Sequence, residues 1–271
     1  MRTLLLSITL ICLAGHAFPA AAAAKKKAPP PAPASAPAAA MSPAAEPAAA
    51  PGPSAEEVLG RVDAILGPPE FEARLTFITR KPKGESSFSM SYLAKGNDKF
   101  RLRFLTPPDD AGAEVLRVAD DFWHYLPNLK RALKISAKQE FHGGDFANSD
   151  VLRVYLTREY HAAFSGEPAP AGQWLLELTA RDDTITYARV KAWVRQKDFQ
   201  PLVFEYYSGA GKLVRRLEFS ELKSHGSLVR PSRMVMRNML EPKRTSELVW
   251  DSFAVRQDLE DALFERSALG R

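Results

Sequence analysis

The chain has 271 residues, 45% of them apolar and 25% charged, with a formal net charge of +5 and one cysteine. Residues 1–53 hold Arg2, Lys25, Lys26 and Lys27 against Glu46, which leaves 33 basic and 31 acidic residues for 54–271 and removes the charge argument for nucleic acid as a partner. Cys12 lies in the N-terminal apolar run, so the rest of the chain has no thiol for a disulfide, an iron–sulfur cluster or a cysteine nucleophile.

In chain order, Met1–Arg2, the apolar run Leu4 to Ala14 and the small residues Ala20 to Ala22 predict a secretory signal peptide over 1–24. The run is shorter than the roughly 20 residues a bilayer requires. Leu10 and Ile11 precede Cys12 in place of the small residues a lipidated cysteine needs. Residues 25–53, three lysines and then mainly alanine and proline, predict an extended tether outside any core.

The folded domain is expected over 54–271. Ser54 and Glu57 have capping-box spacing, and Val58, Val62, Ile65 and Leu66 make one helical stripe. Gly67 is read as the residue that ends this helix, with Pro68 and Pro69 preventing its continuation. Beyond it the pattern is of strands. Alternation is clear at 73–77, 88–92, 100–104, 114–119, 122–126 and 131–137. It resumes at 160–164, 174–179, 187–195, 202–207, 213–219, 232–238 and 246–255, while 259–269 is read as a turn of helix or an edge extension. Short spacing and turns rich in Gly, Pro, Asn and Asp predict a large antiparallel meander, as a barrel or sandwich.

One face of these strands is strongly apolar. It carries Phe77, then Phe88, Met90 and Tyr92, then Phe100 and Phe104. Further on come Trp174, Phe204, Tyr206 and Phe219, and finally Met234, Met236 and Trp250. Singly, each is an ordinary core residue. As a set they need a second layer, and the chain supplies one good helix; if the sheet curls around it without filling its interior, an apolar cavity remains, with Trp123 and Tyr125 assigned to the same wall.

Catalytic patterns are missing. His124, His142, His161 and His225 are scattered without metal-ligand spacing, and no GxSxG elbow occurs. Ser208 to Lys212 fits a hairpin turn better than a phosphate loop. The pairs Asp109–Asp110, Asp120–Asp121 and Asp182–Asp183 fall in turn signals. Asp145, Asn148 and Asp150 lack a calcium loop's closing glutamate and read as capping residues, with Asp145 starting a short helix.

The blocks FWHYLPNLKRALKI, GGDFANSDVL, LVRPSRMVMRNMLEPKRTSELVW and LEDALFERSALGR, in that order, resemble the LolA-like outer-membrane lipoprotein-sorting family of Gram-negative bacteria. The first two are similar to its periplasmic branch associated with lipid-exporting permeases of the RND type. Relatives usually have serine where this chain has Gly144, a change expected to leave the turn unaltered. The resemblance implies a mainly β fold, an incomplete antiparallel β-barrel with an N-terminal helix and short helices over its apolar face. It also implies a monomeric periplasmic carrier without cofactor or catalysis, binding acyl chains of a lipid or lipoprotein and meeting an RND-type permease. A periplasmic adaptor that binds a protein partner without lipid is the alternative reading, and a hydrolase with a site assembled from distant residues the third. An early-strand arginine is implied to hold the lid. Arg74, Arg101 and Arg103 lie on early strands, and none is singled out for that role.

Overall fold

The computed structural model describes residues 52–152 and 155–271, so the expected signal peptide and most of the tether lie outside the described residues. The capping box at Ser54 forms as its spacing predicts. Ser54 N–H donates to Glu57 Oε2 at 2.7 Å and Glu57 N–H to Ser54 Oγ at 3.2 Å. Helix α1 (Ala55–Leu66) follows and buries Val58, Leu59, Val62 and Leu66. Gly67 does not use a left-handed conformation, since its φ is −178°, and the two prolines after it account for the stop.

Thirteen antiparallel strands make one sheet. The first six are β1 (Glu70–Lys81), β2 (Gly84–Lys95), β3 (Lys99–Thr106), β4 (Glu114–Val118), β5 (Asp121–Leu126) and β6 (Arg131–Ile135). The other seven are β7 (Tyr160–Phe164), β8 (Gln173–Ala180), β9 (Arg189–Arg195), β10 (Pro201–Tyr207), β11 (Leu213–His225), β12 (Leu228–Asn238) and β13 (Thr245–Val255). Every stretch read as a strand contributes one. β1 pairs with β13 in the middle of the sheet, so the chain runs outwards to β6, crosses over, and returns from β7. The edges β6 and β7 are not paired with each other. The barrel is therefore open, and the chain between them forms a crossover at 136–159 with α2 (Asn148–Val151) and α3 (Leu156–Glu159).

Period-2 alternation gives the sheet its two faces. Phe71, Leu75, Phe77, Met90, Tyr92, Phe100, Leu102 and Phe104 are buried on the inner face, in one apolar cluster with α1 and the crossover's Phe141 and Phe146. The outer face is mostly polar, with one exception. Two short 3-10 turns at Asp261–Phe264 and Arg266–Ala268 lie across β2–β5, burying Leu259, Phe264 and Leu269 with Leu116. Arg101 fastens this tail, donating to the carbonyls of Leu263 and Ala268 at 2.9 Å each and to Glu114 at 2.5 Å.

This tail corrects the placement of Trp123 and Tyr125. Both pack in the outer cluster with Leu116, away from the cavity, while Phe122 packs with the inner core. Trp123 lies 4.4 Å from the Arg266 guanidinium and 5.9 Å from Lys134 Nζ. Trp123→Ala is expected to lower stability by about 1–2 kcal/mol, below the usual core range because the ring is half-buried. Binding of an apolar probe should be unchanged, as fluorescence titration would show.

Candidate apolar cavity and its polar end

The crossover reaches the inner face at GGDFANSDVL, and its anchors explain that block. Asp145 does not start a helix. Its carboxylate is buried, accepting from Asn238 Nδ2 and Ser246 Oγ at 2.9 Å each. Its N–H donates to Ser246 Oγ at 2.8 Å, and its carbonyl accepts from Arg215 Nε at 3.0 Å. The short helix begins at Asn148, where Asp150 Oδ2 reaches back to the Ala147 N–H at 2.7 Å. Gly144 must stay small. A Cβ there would overlap the Phe77 ring and come within 3.0 Å of Ser246 Oγ and of Thr79 Cγ2. The expectation that serine is neutral at this position is therefore overturned for this chain. Gly144→Ser and Gly144→Ala should each cost about 2 kcal/mol, read by denaturant unfolding.

Further anchors hold the second half of the crossover. Tyr92 OH donates to the Val151 carbonyl at 3.0 Å, and Arg117 to that of Leu152 at 3.2 Å. Arg117 sits between the Phe100 and Phe122 rings, 5.2 and 5.5 Å from their centroids. It is thus an early-strand arginine aimed at the crossover, whereas Arg101 and Arg103 serve the outer tail. Asp63 of α1 accepts the N–H groups of Leu156 and Thr157 at 3.0 Å each, fixing the start of α3.

Between α1, the crossover and β10–β13 lies a cavity. It encloses about 760 Å³ of atom-free space, part of it open to solvent. Of the residues assigned to the wall from sequence, Phe204, Tyr206, Phe219, Met234 and Trp250 line it. Leu66, Phe146, Val151, Leu156, Leu217 and Leu248 complete the apolar lining. Phe77, Phe88 and Phe104 pack elsewhere on the inner face, around Phe141 and His142. Met90, Tyr92, Phe100 and Met236 are fully buried in the sheet's core, and the Trp174 ring lies tilted against Phe199 at 5.2 Å. A second cavity of about 480 Å³ lies beside that cluster, lined by Phe104, His124, Ile135, Phe141, His142 and Asn148 among others.

One end of the larger cavity is polar, a feature absent from the sequence reading. Asp63, Asp150, Glu159, Tyr160, Tyr187 and Arg230 line it. Tyr187 OH donates to Asp150 at 2.9 Å, and Tyr160 OH to the Tyr187 carbonyl at 3.2 Å. Burial pushes Asp150 up to about 6 and Glu159 up to about 7. Arg230 is fully buried, its guanidinium 4.1 Å from the Trp250 ring and 4.4 Å from Phe253.

A half-open β-barrel closed on its apolar side by a helix and a crossover defines the class. The chain has the LolA-like fold and is similar to a protein of the LolA superfamily. Residues 96–271, more than half of it, match a family model described as "Uncharacterized protein". A LolA superfamily protein from Nitrosomonas europaea is 27% identical, with a TM-score of 0.74 over 80% of this chain and 100% of that one. An outer membrane lipoprotein-sorting protein domain from Vibrio parahaemolyticus is 24% identical, with a TM-score of 0.71 over 80% and 98%. A DUF1329 family protein from Desulfovibrio piger, also 24% identical, gives 0.72 over 79% and 97%. The last two likenesses concern the fold alone. Comparison with curated protein sequences gives no match.

Proposed function

We propose that this protein is a non-catalytic periplasmic carrier that shelters acyl chains of a lipid or lipoprotein and passes them towards the outer membrane. The observation that carries the reading is the cavity, enclosed on one side by apolar strand residues and on the other by separately anchored helices. The likeness to the LolA superfamily protein of Nitrosomonas europaea supports it. Here α1 and the crossover pack over much of the apolar sheet face, and part of the roughly 760 Å³ between them is open to solvent. Loading therefore requires the crossover to move off the sheet. Each buried methylene contributes about 0.8 kcal/mol, and release into water would forfeit it, so cargo is handed to a partner. An RND-type permease is the partner we propose, with the signal peptide exporting the chain and the Ala/Pro tether extending its reach as a monomer.

The test is lipid extraction and mass spectrometry of protein purified from its native host without detergent. Acyl-chain lipid at near-stoichiometric amounts is expected. Absence of any acyl ligand, together with no binding of an apolar probe, overturns the reading. The packing of α1 and the crossover over the sheet face favours a second reading, an adaptor with a filled interior. That reading predicts a crosslinked protein partner and no lipid.

A further inference from the structure

We propose that the polar end of the cavity selects an apolar ligand ending in an uncharged hydroxyl, with Glu159 accepting from that hydroxyl and Tyr206 donating to it. The proposal rests on the carrier reading and specifies its ligand. Glu159 is the last residue of α3, and its backbone is fixed on both sides. Its N–H donates to the Tyr155 carbonyl at 3.3 Å, and its carbonyl accepts from Arg181 N–H at 2.9 Å. Its half-buried carboxylate lines the cavity yet meets no hydrogen-bond donor or ion-pair partner among the described residues.

The neighbouring acids are already used. Asp63 accepts from Leu156 and Thr157, and Asp150 from Ala147 and Tyr187. Tyr206 supplies the second, independent sign of a ligand. It is 5% exposed, lines the same cavity, and its hydroxyl has no hydrogen bond among the described residues, unlike those of Tyr160 and Tyr187. The Glu159 charge also acts on Tyr206, after those of Asp150 and Tyr160. An unused acceptor and an unused donor facing one apolar space complement a hydroxyl, which both donates and accepts.

Charge argues against the other simple head groups. The lining carries Asp63, Asp150 and Glu159 against Arg230, and Arg117, Arg158 and Asp182 also act on Glu159 from outside. A free acid would bring another anion beside Asp150 and Glu159. An ammonium would lose its hydration in a cavity that already buries the Arg230 cation. A hydroxyl adds no charge. It can bond to Glu159 whether or not the carboxyl is protonated, which matters for a group that burial pushes up to about 7.

The experiment displaces the neutral probe N-phenyl-1-naphthylamine from the full chain with dodecanol, dodecanoate or dodecylammonium at pH 8. Dodecanol is expected to bind roughly tenfold tighter than dodecanoate, the scale of one hydrogen bond to a charged group. Glu159→Leu should weaken dodecanol by about the same factor, and Tyr206→Phe by a smaller one. Glu159→Gln keeps an acceptor without charge, so it should keep dodecanol and admit dodecanoate more readily. Glu159 makes no structural hydrogen bond through its carboxyl, and burial penalises its charge, so Glu159→Leu and Glu159→Gln should be at least as stable as the wild type at pH 8. Tighter binding of dodecanoate or dodecylammonium, or no effect of Glu159→Leu on dodecanol, overturns the proposal while leaving the carrier reading intact. If neither the probe nor any ligand binds, the carrier reading fails and the proposal falls with it.

Discussion

Asp145→Ala is expected to destabilise the fold by about 3–5 kcal/mol, the range for removing one partner of a buried, hydrogen-bonded charge. The carboxylate is 1% exposed, and Arg244 Nε lies 3.4 Å from it in addition to its bonds with Asn238 and Ser246. Truncation leaves all three partners facing the space the carboxylate filled. Arg244 keeps Glu140 and Glu241, at 3.3 and 3.2 Å, so its charge is not wholly abandoned. Denaturant unfolding measures the loss, and a change below about 1 kcal/mol would refute the assignment. Asp145 joins the crossover to β12 and β13, so hydrogen exchange should also speed up locally at residues 140–152. A double-mutant cycle with Asn238→Ala separates the pair from the rest, since neighbours in one network do not add.

These anchors show which parts of the structure were legible in the sequence. Strands with one apolar face were. In β2, Phe88, Met90 and Tyr92 alternate with serines, and only one face can be buried. β5 has no such contrast. Phe122, His124 and Leu126 on one side and Trp123 and Tyr125 on the other are equally suited to burial. The choice is made by the C-terminal tail, more than a hundred residues away, which covers Trp123 from outside. β11 was read only as far as Phe219 because Glu221, with a φ of 56°, breaks the alternation, and the strand resumes to His225.

The open barrel was expected from the resemblance, and the fold has it. The polar end of the cavity was not legible at all. Asp63, Asp150 and Glu159 lie on α1, α2 and α3, and the last two helices have four residues each, too few for a periodic pattern. What was readable was indirect. GGDFANSDVL and LVRPSRMVMRNMLEPKRTSELVW are two of the blocks that carry the resemblance, and Asp145, Asn238 and Ser246 are the residues through which they touch.

Asp150→Asn should gain on the wild type as pH rises, by about 3 kcal/mol between pH 4 and pH 8. Burial lifts the Asp150 carboxyl from 3.8 to about 6, against the downward pull of the Ala147 N–H, the Tyr187 hydroxyl and the Arg215 charge. The native state therefore binds more protons than the unfolded chain between about pH 4 and pH 6. Across that window stability falls as pH rises, and the deficit is constant above it. About two pKa units at 1.36 kcal/mol each give the size. Asparagine can accept both hydrogen bonds without the charge, so its stability lacks this slope.

The difference between the two proteins is the quantity to measure, because other groups also titrate. Glu159 acts in the same sense as Asp150. His124 and His142, whose pKa values burial lowers, act in the opposite one, since stability they withhold at acid pH returns as the unfolded chain loses its protons near pH 6.5. The histidine contributions are common to both proteins and cancel in the difference, whereas Glu159, whose carboxyl the Asp150 charge helps to raise, adds a smaller part in the same sense as Asp150. A pH-independent difference would mean that Asp150 is solvated in the native state. The expected slope would mean that the cost of burying the charged Asp150 carboxylate exceeds what its bonds from Ala147 and Tyr187 return. The crossover would then be held least firmly where the carboxylate is charged, at neutral pH and above, and a carrier that must open to load would do so more readily there than in acid.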